Sequence, residues 1–230
     1  MKSKATKIVE NQVNRWVRNK NNKSGKSSGK SINPIITISR EFGAEGAAIG
    51  KKLSEKLDFE FWHNDLLKLI SEESGLDEKF LQSLDEKRQQ SIKDAMMGML
   101  KTSATNVQYL QSIIKVIKTI EMQGNSIIVG RGANYICTKP KALHVRVVRP
   151  KTKRIKSYAA KNTITEPEAR RKIDEMDKER EDFVRHHFNQ DVNDSSTYDI
   201  VINSGTFQQE EIMDIILKSY AQKTDMQITI

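Results

Sequence analysis

Along the chain, short β-branched apolar runs alternate with longer stretches in which apolar side chains return every three or four residues. The short runs predict strands near 35–39, 59–62, 126–129, 143–148 and 199–203, since a strand buried on both faces has no polar side to alternate with. The helical period predicts helices near 46–57, 64–74, 77–84, 88–123, 151–161, 166–188 and 207–221. Five buried strands separated by helices imply an α/β fold: a five-stranded parallel sheet with helices on both faces, in three layers. The long segment 88–123 is read as one helix. Its apolar positions (Met96, Leu100, Val107, Leu110, Ile114, Ile117) suit helix packing, including contact between subunits of a homo-oligomer.

Ligands of such sheets bind at the carboxyl ends of the strands, so the residues just after each strand carry the functional reading. The first strand leads through Ser39, Arg40 and Glu41 into the loop Gly43–Ala44–Glu45–Gly46, and then into a helix opening with Ala47 and Ala48. A strand, a glycine turn and a helix N-terminus converge free N–H groups and the helix dipole on one point, which predicts an anion cradle. The phosphate-loop pattern G-x-x-x-x-G-K-[ST] is nevertheless absent there. Gly-Lys-Ser occurs twice in the segment "NNKSGKSSGKSIN", but no strand precedes it and no helical pattern follows, so it reads as a flexible linker. After the third strand, Arg131 stands between Gly130 and Gly132, with no helix face to place it in solvent, and is read as a ligand-binding arginine. The fourth strand runs into a basic helix start with Arg149, Lys151, Lys153, Arg154 and Lys156, and the next helix sets Asp177, Arg180 and Phe183 at helical spacing.

Charge divides the chain. Residues 1–33 hold nine Lys/Arg against one acid, whereas the remainder holds 30 against 29. A nearly neutral body argues against a broad nucleic-acid surface, so contact with nucleic acid is expected only through the basic arm. Three parts follow: a basic arm and linker (1–33), a main domain (34–222) and a short tail (223–230). No run is apolar and long enough to cross a membrane and no signal peptide opens the chain, so a cytoplasmic protein is expected. The single cysteine, Cys137, excludes an internal disulfide, and His186–His187, about 100° apart on a helix, do not converge on a metal.

Taken together, "ITISREFGAEGAAIGKKL", "IIVGRGANYI", "LHVRVV", "EAR..I...D..R..FVR..F" and "YDIVIN" resemble the cytidylate kinase-like family of P-loop proteins over residues 34–221. The resemblance implies a nucleoside monophosphate kinase fold with a phosphate loop after the first strand and a basic helical lid after the fourth. It also implies nucleotides as partners, ATP and Mg2+ as cofactors, and phosphoryl transfer to a cytidylate-like acceptor. Asp177 and Arg180 match an Asp-x-x-Arg that contacts the acceptor in cytidylate kinases, although as an i, i+3 pair they also suit a plain ion pair. Against the true kinases, Gly46 replaces the loop lysine, Ala48 the metal-holding Ser/Thr, and Val129 an aspartate. Phosphoryl transfer is mostly positioning and charge neutralisation, so another cation can serve. The expected substitutes are Arg40, fixed at a strand end, and Arg154, swinging in from the lid, with Arg131 on the acceptor phosphate; Glu41 and Asp65 are the carboxylates available for a metal. The alternative is a regulatory domain that keeps the cradle and has lost catalysis.

Overall fold

The computed structural model describes residues 33–63, 86–100 and 107–225. The strands are β1 (Ile36–Arg40), β2 (Glu60–His63), β3 (Ser126–Val129), β4 (Leu143–Val148) and β5 (Ile200–Asn203), within a residue or two of the expected spans. All pair in parallel in the order β2-β3-β1-β4-β5. β1 is central: Ile36 lies opposite both Ile127 of β3 and Leu143 of β4.

Helices cover both faces. On one, α1 (Gly46–Leu57) and α7 (Gln209–Thr224) pack Ile49, Leu53, Ile212, Ile216 and Tyr220 against Ile38, Val129, Val145 and Val147. On the other, the core gathers Ile35, Trp62 and Ile128 with Ile113, Ile114, Ile117 and Ile120 of α3 (Val107–Gln123) and Ile136 of the short α4 (Ala133–Ile136). The reading of 88–123 as one helix is corrected. The structure has α2 (Glu86–Leu100) and α3 lying side by side, with Met122 packed on Ile92. Leu110, Ile114 and Ile117 are buried in the chain's own core, whereas Met97 is exposed. The expected helices 64–74 and 77–84, residues 1–32 of the arm and Asp65 lie outside the described residues.

After β4 come α5 (Lys151–Asn162) and α6 (Glu166–Phe188), joined by a capping box in which Thr165 and Glu168 satisfy one another's backbone N–H. These two helices share a small core of their own: Ile155, Ala159, Ala169 and Ile173, into which Phe42 of the glycine loop and Tyr158 insert. The loop after β1 is thereby tied to a helix pair more than 110 residues further along.

Candidate functional site

The crevice lies beyond the carboxyl ends of β1, β3 and β4, roofed by α6. Its walls contain the residues that the sequence marks at strand ends. A cavity of about 70 Å³ is lined by Ser39, Arg40, Arg131, Asn134, Arg180 and Phe183 among others. A smaller hollow beside it is bounded by Arg40, Arg146 and Arg180, with Glu41, Asp177, Glu181 and Asn193. The first cavity holds a few waters or one small anionic group, and a wider, more open hollow of about 500 Å³ adjoins the smaller one along Glu181, Val192 and Asn193.

Arg131 adopts the left-handed conformation at φ 51°, between two glycines that are also left-handed. This bend turns its guanidinium back over the Phe183 ring, 5.0 Å from the centroid, where the ring quadrupole favours a cation. Its Nε is buried without a hydrogen-bond partner, as is the Nδ2 of Asn134, two donors held beside the cavity. Arg180 donates to the backbone carbonyl of Arg40 at 3.1 Å and lies 5.3 Å from the Phe42 ring centroid. Burial pushes its guanidinium below the ordinary value, with nearby Asp177 opposing that shift. The i, i+3 ion pair weighed for Asp177 and Arg180 does not form.

Asp177 turns the other way. Its Oδ1 accepts the Phe42 N–H at 2.8 Å and its Oδ2 accepts from Arg154 at 2.5 Å. Arg154, expected to swing in from a lid, here lies against the glycine loop. Its side chain is only 5 % exposed and also donates to the carbonyls of Phe42 and Arg149, with Glu41 3.5 Å from its Nε. Arg154 clamps the glycine loop from beneath. Arg149 pairs with Glu45 at 2.6 Å, while its backbone N–H donates to Glu41 at 2.7 Å. Arg149 and Arg154 are thus neutralised within the protein.

Gly46 has a steric reason to lack a side chain. A Cβ there would stand 2.8 Å from the Arg40 Cβ, and a Cβ on Gly130 would stand 2.4 Å from the Arg40 Nη1. Arg40 therefore passes between the first residue of α1 and the β3 turn, through space that a lysine-bearing loop would fill. Ala47 and Ala48 follow in the first turn of α1, whose N–H groups have no partner within the helix. Gly43, at φ 80°, lies against the stem of Arg154, and the Ala44 carbonyl accepts from Ser204.

Sequence reasoning missed Arg146. It sits in β4 and is 5 % exposed, donating to Ser39 Oγ at 2.9 Å and to Asn193 Oδ1 at 3.0 Å over the Tyr198 ring. The available signal was an arginine interrupting the buried run "LHVRVV". Asn134 was passed over because the short helix α4 was not foreseen. Among the described residues, Arg131, Arg146 and Arg180 have no carboxylate within ion-pair distance.

Three guanidiniums without counter-charge fit a phosphate well. A protein-held metal fits poorly: no described cluster of His, Cys, Asp or Glu could hold one, and Glu41 is engaged by Arg149 and Arg154. No described helix is long and apolar enough to cross a membrane.

A model of the cytidylate kinase-like family matches residues 35–206. A uronate isomerase from Corynebacterium glutamicum is 24% identical over 200 residues, which cover 86% of this chain and only 38% of that protein. Among solved structures, an uncharacterized protein from Eubacterium ventriosum is similar at TM-score 0.66 and 23% identity, over 83% of this chain and 99% of the other. Shikimate kinase from Bacteroides thetaiotaomicron matches at TM-score 0.44 and 11% identity, over 84% and 99%.

Proposed function

The chain belongs to the cytidylate kinase-like family, and from that premise we propose that it binds nucleotides and passes a phosphoryl group from ATP to a nucleoside monophosphate. One observation carries the reading: Arg146, buried, and Arg131 and Arg180, partly buried, surround one crevice with no carboxylate within ion-pair distance among the described residues. Buried charge is costly unless compensated, so such a site is built for an anion. Forked guanidiniums match phosphate oxygens in pairs.

In this reading Arg131 takes the acceptor phosphate, while Arg40 and Arg180, which border both hollows, lie between acceptor and donor. Asn134 supplies a further donor to the acceptor. ATP supplies the transferable group, and Mg2+ enters with the phosphates rather than through a protein ligand set. The residues of this chain supply orientation and fixed positive charge, which make up most of what the reaction needs.

A second reading, a regulatory domain that binds nucleotide without turnover, is favoured by the clamp of Arg154 and Asp177 across the glycine loop. ATP consumption with CMP, dCMP, UMP and AMP as acceptors, with and without magnesium, separates the two. Calorimetric binding of the same nucleotides accompanies it. Transfer to one acceptor supports the kinase; ATP binding without transfer to any of them supports the regulatory domain. Arg131→Ala is expected to weaken acceptor binding about ten- to a hundred-fold, the loss of a charge-assisted pair of roughly 1.5–3 kcal/mol, without unfolding the protein. Unchanged affinity removes Arg131 from the site.

A further inference from the structure

We propose that Arg146 is a phosphate-binding residue and that, with Arg180, it supplies the positive charge absent from the glycine loop. The inference deepens the nucleotide reading but stands on separate residues.

Two cations beside the loop are already paired. Arg154 is paired with Asp177 and Glu41, and Arg149 with Glu45. Arg146 is different. It projects from β4, beside the central strand, its side chain is almost wholly buried, and its two described partners, Ser39 Oγ and Asn193 Oδ1, are neutral. Neutral acceptors orient a guanidinium without cancelling its charge. Its neighbour across the smaller hollow is Arg180, close enough that the two repel and Arg146 helps hold Arg180 below its ordinary proton affinity. Two like charges held together out of water are tolerated when an anion joins them.

Asp177 and Glu179 offset part of the Arg180 charge through space, but no carboxylate at this hollow reaches ion-pair distance of Arg146 or Arg180 among the described residues. Glu41 and Asp177 face the Arg154 side, and Glu181 contacts the Asn193 amide at 3.4 Å. Arg40 and Arg180 border both hollows, with Arg131 at the far end of one and Arg146 at the far end of the other. The cationic row has two ends and a shared middle. That shape fits two adjacent phosphoryl groups, whether on one oligophosphate or on two phosphorylated ligands meeting end to end.

The test measures binding of inorganic phosphate, pyrophosphate, CMP and ATP to the full chain by calorimetry, together with thermal melts in each ligand. Arg146→Met removes the charge and keeps the bulk. It is expected to lower pyrophosphate and ATP affinity ten-fold or more, with CMP much less affected, while the ligand-free melting temperature holds or rises because a buried repulsion is gone. A purely structural arginine gives the opposite pattern: a lower ligand-free melting temperature and unchanged pyrophosphate affinity, which overturns the proposal. If the methionine variant does not fold, Arg146→Lys decides. Lysine keeps the charge without the fork, so several-fold weaker pyrophosphate binding supports the proposal and unchanged binding overturns it.

Pyrophosphate binding that depends on Arg146 in a protein that binds neither CMP nor ATP supports this inference and sinks the nucleotide reading. Nucleotide binding indifferent to Arg146 does the reverse. Wild-type protein that binds none of the four ligands overturns both.

Discussion

Replacing Asp177 with alanine tests whether the glycine loop is held from below. The substitution removes two interactions at once, the carboxylate on the Phe42 N–H at 2.8 Å and the ion pair with Arg154 at 2.5 Å. A hydrogen bond to a charged group contributes about 1.5–3 kcal/mol, and stripping one partner from a buried ion pair costs about 3–5 kcal/mol. Two facts place the sum at the low end. The Asp177 side chain is 22 % exposed, and Glu41 remains 3.5 Å from the Arg154 Nε as a second counter-charge. The expected loss is about 3 kcal/mol, or about 6–12 °C in melting temperature at roughly 2–4 °C per kcal/mol for a domain of this size.

Urea denaturation of the wild type, Asp177→Ala, Arg154→Met and the double variant measures both the loss and the coupling. The double variant no longer buries an unpaired guanidinium, so it should be more stable than the sum of the single losses predicts, by at least about 1 kcal/mol. Additivity within about 0.5 kcal/mol, or a loss below about 1 kcal/mol for Asp177→Ala, refutes the clamp.

Gly46→Lys, which restores the usual phosphate-loop lysine, should not raise ATP turnover. It should cost about 1–3 kcal/mol in urea denaturation, since its Cβ would meet the Arg40 Cβ at 2.8 Å; increased turnover refutes this reading. His144, bonded through Nδ1 to Thr37 Oγ1 at 2.8 Å, is held below the ordinary imidazole value by burial, with Asp199 opposing. Its depressed folded value means that the unfolded chain takes up the proton first. Stability is therefore full above the ordinary imidazole value of 6.5 and declines as pH falls below it. The urea midpoint should drop between pH 7.5 and 5.5 in the wild type and drop less in His144→Gln; an equal drop in both excludes His144 as a source.

The strands were legible because residues such as Ile36, Ile38, Ile127, Val129, Val145 and Val147 are buried on a two-sided sheet, where continuous apolar runs are the physical requirement. Arg131 was legible too, since two flanking glycines permit the left-handed bend that aims it. The reversal between α2 and α3 was not, because an apolar period is the same in one long helix and in two that fold onto each other. Nor was the fate of Arg154: its partner Asp177 lies 23 positions on, in the next helix, and no local spacing reports that meeting. Arg146 was concealed by its own strand. The pattern that marks β4 as buried also made its one charged residue easy to read as decoration.

Helix α6 touches the loop at Asp177, the arginine row at Arg180, and the β3 turn at Phe183 and Phe188, which packs over Gly132. From Asp177 to Phe188 is about 16 Å of continuous helix at 1.5 Å per residue. A rod fastened at several points along its length does not lift at one and stay down at the rest. If a ligand enters by displacing α6, the loop, the arginine row and the β3 turn should therefore open together. Release from either hollow should then follow one common rate, whichever ligand leaves first.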